Sequence, residues 1–241
     1  MISKTQIKLI NSLSQKKYRQ KHGLFIAEGI KVIKEILASS YEVTDIFSKT
    51  DVFSLLKPTN LHLVTEKELK KISKLTTPQT ALALVKIPPV KKVNLSGVVV
   101  ALDGVRDPGN LGTIIRLCDW FGIEHLLCSP DTVDCYNPKV VQASMGSLTR
   151  VNIHYRSLPE AIEQTALPVF GTFMEGENVY QQNLPSEGIL IMGNEANGIR
   201  DDVARMVTHR LSIPQFGANG ATESLNVATA AAILLSEFKR A

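Results

Sequence analysis

Residues 98–122 read VVVALDGVRDPGNLGTIIRLCDWFG. The first part of this stretch is a continuous apolar run, which is typical of a strand buried on both faces of a parallel sheet. A turn with glycine, proline and polar residues follows, and apolar residues at helical spacing then predict a helix over 111–121. That apolar stripe consists of Leu111, Ile114, Ile115, Cys118 and Phe121. A buried strand that leads through a polar turn into an amphipathic helix is the repeating unit of α/β proteins.

The chain after residue 97 repeats this alternation. Short apolar runs predict five further strands, at 125–130, 150–155, 168–174, 188–193 and 209–214. Helical patterns separate them, at 138–146, 158–166, 200–207 and about 224–239. The alternation predicts a doubly wound α/β domain around a parallel sheet. Ligands of such sheets bind outside the carboxyl ends of the strands, where the loops DGVRDPGN, GNEANGIR and IPQFGANGATESLN are found.

The segment 87–97, IPPVKKVNLSG, has paired prolines and a polar continuation, and it reads as a linker. Before it, helical and strand patterns alternate over about 90 residues and predict a small α/β module. We therefore expect two domains, an N-terminal one over 1–90 and a larger one over 97–241.

The charge changes sign at this linker. Residues 1–92 contain 17 Lys and Arg against 7 Asp and Glu, and 16 of those 17 are lysine. Residues 93–241 contain 10 Lys and Arg against 16 Asp and Glu. A basic module joined to an acidic one fits a polyanion-binding domain attached to a second function. A lysine-rich solvated surface would give the same counts, so charge alone leaves both interpretations open.

Composition and motifs argue against several classes of protein, among them membrane proteins, secreted proteins and metalloenzymes. The longest apolar runs are too short to cross a bilayer, and the N-terminus lacks the apolar core of a secretory signal. Three cysteines without metal-type spacing favour reduced, packed thiols and a cytoplasmic protein. Dinucleotide, P-loop and H-E-x-x-H motifs are absent, and the five histidines are scattered, so no metal is expected. ASMGSL, at 143–148, reads as a packed helix end rather than a serine nucleophile.

The helix predicted over 111–121 has a second face that is not simply polar. Arg116 lies off the apolar stripe, near Thr113 and Trp120, the only tryptophan of the chain. A helix that is apolar on two sides is usually buried on two sides. We infer that one face packs on the sheet and the other against a second subunit, which places Arg116 at a subunit border. Asn110 is the N-cap candidate of this helix.

Four stretches together resemble the three signature motifs of the SpoU (TrmH-type) RNA ribose methyltransferases of the SPOUT class. They are LDGVRDPGNLGTIIRLCDWFG, NPKVVQASMGSLTRV, GILIMGNEANGI and IPQFGANGATESLNVATAAAILL, in the family's order over about 97–239. The stretch YRQKHGLFIAEGIKVIKEIL is similar, more loosely, to the small N-terminal substrate-binding domain of many members, which has a ribosomal-protein-like RNA-binding fold.

The resemblance implies transfer of a methyl group from S-adenosyl-L-methionine to a ribose 2′-hydroxyl of RNA. It also implies a knotted sheet, with a deep C-terminal trefoil knot that cradles the cofactor, and a homodimer with its sites beside the interface. Ribosomal RNA is the favoured substrate because of the N-terminal domain, and transfer RNA is the alternative. A non-catalytic RNA-binding or ribosome assembly factor of the same fold is the other alternative. Calorimetric titration with the cofactor distinguishes it from an enzyme, because absence of binding would favour the non-catalytic factor.

Site residues carry over position by position. The resemblance implies catalytic roles for Asn110, Arg116, Glu195, Ser224 and Asn226. It implies cofactor contacts, largely through the backbone, from Thr172, Gly193, Asn194, Gly198, Ile213, Ser224 and Leu225. The loop 215–223 is longer and richer in glycine than in many members. In the basic domain, we expect RNA contacts from Lys16, Lys17, Arg19 and Lys21.

The chemistry requires alignment of the hydroxyl with the methyl donor and stabilisation of the oxygen as it attacks. Arginine is effectively always protonated, so we expect Arg116 to clamp the neighbouring RNA phosphate and stabilise the developing oxyanion rather than act as a base. The proton then leaves through that phosphate or through water. Glu195 either orients Arg116 or accepts a hydrogen bond, and Ser224 and Asn226 fix the loop and the ribose. Capping or structural roles for Asn110, Glu195 and Asn226 remain the simpler alternatives.

Overall fold

The computed structural model describes residues 2–54, 60–91, 93, 95–217 and 224–240. The chain divides into two compact units. The first unit consists of Met1–Val90 together with Asp134–Arg150, and the second consists of Lys91–Val133 together with Val151–Ala241. The segment 134–150, which the sequence pattern assigns to the C-terminal domain, thus packs as part of the first unit.

The strands and helices follow the predicted alternation. The strands are β1 Leu24–Glu28, β2 Val43–Ser48, β3 Leu61–Leu63, β4 Ala81–Lys86, β5 Val98–Leu102, β6 His125–Cys128, β7 Asn152–Tyr155, β8 Val169–Asn178, β9 Gly188–Met192 and β10 His209–Ser212. The helices are α1 Lys4–Ser12, α2 Lys16–His22, α3 Ile30–Leu37, α4 Glu66–Ile72, α5 Pro108–Trp120, α6 Pro138–Ser144, α7 Leu158–Glu163, α8 Asp201–Ala204 and α9 Val227–Lys239.

The first unit is built on a four-stranded sheet in the order β1-β4-β2-β3. Only the β2–β3 pair is parallel. Helices α1 and α4 contact each other, and both begin with a capping box, at Ser3 and Gln6 and at Thr65 and Glu68. Each box satisfies backbone N–H groups that a helix start otherwise leaves without partners. Apolar side chains of both helices and of the sheet form one buried cluster.

Side chains of the segment 134–150 complete the first unit. The ring of Tyr136 lies 4.8 Å from that of Phe25 in β1. Arg150 donates a 2.8 Å hydrogen bond to Glu35 of α3. Helix α6 packs on β1 and ends at Ser144, which is fully buried, and Met145 follows in a left-handed conformation. ASMGSL is therefore a packed helix end, as predicted.

The second unit contains a six-stranded sheet in the order β10-β8-β9-β5-β6-β7, and every pair in it is parallel. Each of the six predicted apolar runs forms one of these strands. β5 lies between β9 and β6, and all five of its residues are buried, as expected for a strand covered on both faces. The knotted α/β class predicted from the resemblance is confirmed as far as its parallel α/β sheet is concerned, and the trefoil knot itself stays a prediction.

Helix α5 begins three residues earlier than predicted, and Asn110 is not its N-cap. The N-cap is Asp107, whose Oδ1 accepts a 2.8 Å hydrogen bond from the backbone N–H of Asn110. Pro108 occupies the first helical position, where its missing N–H costs no hydrogen bond. Because Asp107 caps the helix, the Asn110 side chain is available for other contacts.

Helix α9 starts at Val227 rather than near 224, with Asn226 as its N-cap. All three cysteines are buried thiols, as predicted. Within the described ranges, no helix has the length and apolar character needed to span a bilayer. The same ranges contain no group of three or more histidine, cysteine, aspartate or glutamate side chains arranged to hold a metal ion.

Candidate active site

The three loops that follow β5, β9 and β10 lie at the carboxyl edge of the parallel sheet. β5 pairs with β9 in register from Val98 with Gly188 to Leu102 with Met192, so the two strands end side by side. The loops that continue from them are therefore neighbours, at the edge where parallel sheets bind ligands.

The loop after β9 closes on itself as a small hairpin. The backbone N–H of Asn194 donates to the carbonyl of Gly198, and the N–H of Gly198 donates to that of Asn194, both at 2.9 Å. A Cβ atom at Gly193 would lie 2.3 Å from the carbonyl carbon of Gly198, so only glycine permits this approach. Gly198 has a φ of 67°, which also favours glycine. The two predicted glycines therefore give the hairpin its shape.

The Asn194 side chain ties this hairpin to the loop after β5. Its Nδ2 donates a 2.6 Å hydrogen bond to the carbonyl of Gly104. Its Oδ1 accepts from the backbone N–H groups of Ala196 and Asn197, at 2.9 Å and 3.3 Å. Since the side chain is used inside the protein, Asn194 presents its backbone rather than its amide to a ligand.

A buried carboxylate anchors the far end of the hairpin. Asp103, which directly follows β5, is 1% exposed. It accepts hydrogen bonds of 2.8 Å from both the backbone N–H and the Nε of Arg200. A buried charge requires such pairing. The sequence analysis missed this pair, although an aspartate directly after a buried strand was a usable signal.

A cavity of about 780 Å³ opens beside the hairpin. All seven residues predicted to contact the cofactor line it, namely Thr172, Gly193, Asn194, Gly198, Ile213, Ser224 and Leu225. The sequence analysis missed further lining residues, among them Phe173, Met174, Met192, Leu211, Pro214 and Phe216. Most of these belong to the short apolar runs predicted as strands, so nothing in the pattern marked them as cavity walls.

A break in the pairing of β8 with β10 forms one wall of this cavity. Arg210 of β10 pairs with Gly171, but the next residue, Leu211, pairs with Glu177. The intervening stretch of β8 bulges from the ladder and carries Thr172, Phe173 and Met174 to the cavity. The Arg210 guanidinium lies 3.8 Å from the centre of the Phe173 ring and holds the bulge.

Three of the predicted catalytic residues form a hydrogen-bonded chain. Asn226 Nδ2 donates to Asn110 Oδ1 at 2.9 Å, and Asn110 Nδ2 donates to Glu195 Oε1 at 2.7 Å. Asn226 Oδ1 accepts from the backbone N–H groups of Ala228 and Thr229 at the start of α9. These acceptor and donor assignments fix the orientation of both amides. The simpler capping role of Asn226 is real, but it occurs together with the contact to Asn110.

Arg116 stands apart from this chain. It is exposed on α5, and within the described residues its guanidinium makes no ion pair or hydrogen bond. Glu195 accepts its hydrogen bond from Asn110 rather than from Arg116. The catalytic role of Glu195 stays a prediction. Trp120, one turn further along α5, is 84% exposed.

The predicted RNA-contacting residues on α2 fall into two groups. Lys16, Lys17 and Lys21 are exposed. Arg19 is 2% exposed and forms a buried ion pair with Asp134, and its NH1 group donates to the carbonyls of Leu13 and Ser14 at 2.9 Å. The prediction of an RNA contact is therefore wrong for Arg19, because its donors already have partners inside the first unit.

The cavity fits S-adenosylmethionine in size and in chemistry. Its volume lies within the range of small-molecule sites, about 300–1,000 Å³. Apolar side chains such as Ile213 and Leu225 suit a flat base, and the backbone of the glycine hairpin offers polar groups at close range. The predicted contact residues are therefore placed to hold such a molecule.

Comparison with known proteins agrees with this geometry. Residues 97–236 match the model of the SpoU rRNA Methylase family, and residues 4–83 match that of the MRM3-like substrate binding domain. The 23S rRNA (guanosine(2553)-2′-O)-methyltransferase RlmP of Bacillus subtilis is 31% identical over 241 residues, which cover 97% of this chain and 96% of RlmP.

Solved structures are similar over the full length. A TrmH-family protein from Porphyromonas gingivalis superimposes with a TM-score of 0.88 at 38% identity, covering 100% of this chain and 99% of that one. An rRNA methyltransferase from Sinorhizobium meliloti, crystallised with S-adenosylmethionine, has a TM-score of 0.86 at 29% identity, with coverage of 100% and 97%.

Proposed function

Because the chain belongs to the SpoU rRNA methylase family, we propose that it transfers the methyl group of S-adenosylmethionine to a ribose 2′-hydroxyl of ribosomal RNA. The observation that carries this proposal is the juxtaposition of the 780 Å³ cavity with the chain of Asn110, Glu195 and Asn226 at the same edge of the sheet. RlmP, which matches almost end to end, is named for this reaction on 23S rRNA.

The cavity holds the methyl donor, whose sulfonium supplies an electrophilic methyl group. The glycine hairpin around Gly193 and Gly198 presents backbone groups to it, and Ile213 and Leu225 provide apolar walls. Thr172 and Ser224 place hydroxyl groups in the lining. The hydrogen bonds that brace Asn194 keep this cradle in place before the ligand arrives.

Arg116 acts on the RNA. Its exposed guanidinium has the planar donor set that suits a phosphate, and within the described residues no carboxylate neutralises it. Clamped on the phosphate next to the target nucleotide, it aligns the ribose and stabilises the negative charge that develops on the 2′-oxygen. The proton leaves to that phosphate or to water, because an always-protonated guanidinium cannot take it.

Asn110 and Asn226 act as positioning residues for Glu195. The hydrogen bond from Asn110 fixes one oxygen of the Glu195 carboxylate, and the second oxygen is left to accept a hydrogen bond from a ribose hydroxyl. Asn226 fixes Asn110 in turn and is itself fixed by the start of α9.

A homodimer completes the site in this proposal. Trp120 is 84% exposed on α5, on the same helix as Arg116, and an exposed tryptophan is a frequent interface residue. A second copy packed on this face would cover Trp120 and leave Arg116 at the border. In this proposal, the domain over residues 1–90 binds RNA, and the domain over residues 97–241 carries out methyl transfer.

RNA binding is assigned to the first unit. Lys16, Lys17 and Lys21 are exposed on one short helix of a strongly basic region. Such lysines contact phosphates without reading sequence. An enzyme that modifies ribosomal RNA works in the compartment that holds this RNA, and we therefore propose a cytoplasmic location.

Two measurements test the function. Mapping of ribose methylation in RNA from cells with and without this protein should reveal one ribosomal RNA position that loses its methyl group. Loss of a ribose methyl group from transfer RNA alone would show that transfer RNA is the substrate instead. No loss of a methyl group from any RNA would contradict the proposal. Calorimetric titration with S-adenosylmethionine separates the non-catalytic alternative, which predicts no binding.

A further inference from the structure

A second cavity, of about 390 Å³, lies in the first unit, and none of the residues assigned above to RNA binding lines it. Its lining consists of Lys49, Glu66, Leu69, Lys70, Thr76, Thr77, Pro78 and Gln79. Three chain segments supply these residues: the end of β2, the first turns of α4 and the loop before β4.

The fold brings these segments together by backbone pairing. The N–H of Lys49 donates to the carbonyl of Thr80 at 3.1 Å, which joins the end of β2 to the loop before β4. The N–H of Val64 donates to the carbonyl of Ser48 at 2.9 Å, and the capped start of α4 follows immediately. The cavity thus lies where the ends of paired strands meet rather than in a single loop.

The cavity has an apolar floor and a charged rim. Leu69 is 2% exposed and belongs to the core cluster of the unit, and Pro78 adds a second apolar surface. Lys70 forms a 3.1 Å ion pair with Glu66, and both side chains remain more than 60% exposed. Lys49 lines the same cavity, and its charge, after the contact with Lys70, lowers the pKa of Glu66 below its ordinary value.

We propose that this cavity binds one unpaired nucleotide of the substrate RNA, with its phosphate on Lys49 and Lys70 and its base on the apolar floor. The ionised Glu66 accepts hydrogen bonds from N–H groups of the base edge, and Thr76, Thr77 and Gln79 offer further polar contacts. The inference deepens the proposed function, on which it rests, by naming the form of RNA that the first unit recognises.

Size and charge select this occupant. A volume of 390 Å³ is near the lower end of small-molecule sites and excludes a duplex. Proteins that recognise RNA by sequence read mainly unpaired bases that can be turned out of the stack. The surrounding region, with 17 basic against 7 acidic residues over 1–92, attracts the RNA backbone on either side.

Alanine variants of the two lysines test the proposal on the full-length protein. Lys49→Ala/Lys70→Ala is compared with Lys67→Ala, which removes an exposed lysine of the same helix that does not line the cavity. Binding to a 12-nucleotide single-stranded RNA and to a 12-base-pair RNA duplex is followed by fluorescence anisotropy over a range of salt. Thermal unfolding verifies that each variant is folded.

We expect the double variant to lose about tenfold in affinity for the single strand, and its salt slope to fall by about 0.7 for each lost phosphate contact. Lys67→Ala should change affinity less than twofold, and duplex binding should be unaffected by the double variant. Equal losses in the double variant and in Lys67→Ala, or equal losses for single strand and duplex, would overturn the proposal.

Crosslinking gives an independent readout that no folding defect can imitate. A single strand containing 4-thiouridine should crosslink in the wild-type protein to the peptide that contains residues 76–79, and a map that lacks this peptide would also overturn the proposal.

Cofactor titration, together with the methylation assay, distinguishes a failure of the cavity assignment from a failure of the proposed function. If the cavity assignment alone is wrong, every variant still binds S-adenosylmethionine and methylates RNA, whereas failure of the wild-type protein in both assays refutes the proposed function as well.

Discussion

The side-chain amide of Asn110 donates a 2.7 Å hydrogen bond to the carboxylate of Glu195, a residue 85 positions later in the chain. This contact joins the start of α5 to the hairpin after β9. It exists because Asp107, not Asn110, caps α5, and because the glycines of the hairpin bring Glu195 to the same edge of the sheet.

Asn226 has two separable roles. Asn226→Asp keeps an oxygen that caps α9, but it loses the Nδ2 donor to Asn110. We expect the free energy of unfolding to change by less than about 1 kcal/mol, while kcat for methyl transfer falls at least about tenfold. Asn226→Ala loses both roles and should be less stable by about 1 kcal/mol. Chemical denaturation and single-turnover kinetics measure the two effects, and full activity in Asn226→Asp would show that capping is its only role.

Arg19 should matter for stability rather than for RNA binding. Arg19→Ala leaves Asp134 without its partner in a buried setting, and breaking such a pair costs about 3–5 kcal/mol. Lys17→Ala, two residues earlier on the exposed side of α2, should weaken RNA binding with little effect on unfolding. Urea denaturation and RNA titration of both variants provide the comparison. If Arg19→Ala unfolds like the wild type and binds RNA more weakly, our correction of the sequence prediction is itself wrong.

The hairpin at Gly193 should not tolerate a side chain. The Cβ of Gly193→Ala would lie 2.4 Å from the backbone nitrogen of Ile199, so the backbone must move and the cradle must open. We expect the Kd for S-adenosylmethionine to rise at least about 100-fold, equivalent to about 2.7 kcal/mol. Gly217→Ala is the matched control, since Gly217 lines the same cavity but its Cβ would meet no protein atom within 4 Å. Calorimetric titration measures the Kd of both variants for S-adenosylmethionine. Equal affinities would show that the hairpin does not contribute to cofactor binding.

A buried histidine pair in the second unit should make stability depend on pH. His125 Nδ1 and His154 Nε2 are 3.3 Å apart, and His154 Nδ1 has no partner within the described part of the chain. Burial, followed by the charges of His125 and Arg156, lowers the pKa of His154 below its ordinary value of 6.5. The unfolded chain therefore binds this proton more readily, and stability falls as the pH drops through 6.5 and below.

The variant His154→Gln isolates this effect. Its unfolding free energy should vary less than that of the wild type between pH 7.5 and 5.5, although its stability at neutral pH is lower. Burial raises the pKa of Glu28, which acts in the opposite sense, since that contribution is lost as the pH rises. Subtracting the two denaturation curves removes the Glu28 contribution, because both proteins share it. Parallel curves over this range would contradict the assignment to His154.

The strands of the second unit could be predicted because each is a short, continuous apolar run, and the parallel sheet followed from their alternation with helices. The start of α5 could also have been found, since Asp107 followed by Pro108 is a common N-cap pair. The burial of Arg19 could not, because its partner Asp134 lies 115 residues away and belongs to a segment whose pattern matches the other domain.

The candidate site, too, could be predicted only in part. The resemblance identified Asn110, Glu195 and Asn226 as a set, but no spacing predicts that their side chains form one hydrogen-bonded chain. The cavity wall formed by Phe173 and Met174 depends on a register shift between β8 and β10, and register is a tertiary property that the local sequence does not encode.

The decisive measurement for the proposed reaction is transfer of a labelled methyl group from S-adenosylmethionine to ribosomal RNA by the purified protein. After nuclease digestion, the account predicts label in a single 2′-O-methylated nucleotide with the wild-type protein. With Arg116→Ala it predicts no label, although this variant binds the cofactor with nearly wild-type affinity. Label on a base rather than a ribose, or wild-type transfer by Arg116→Ala, would contradict it.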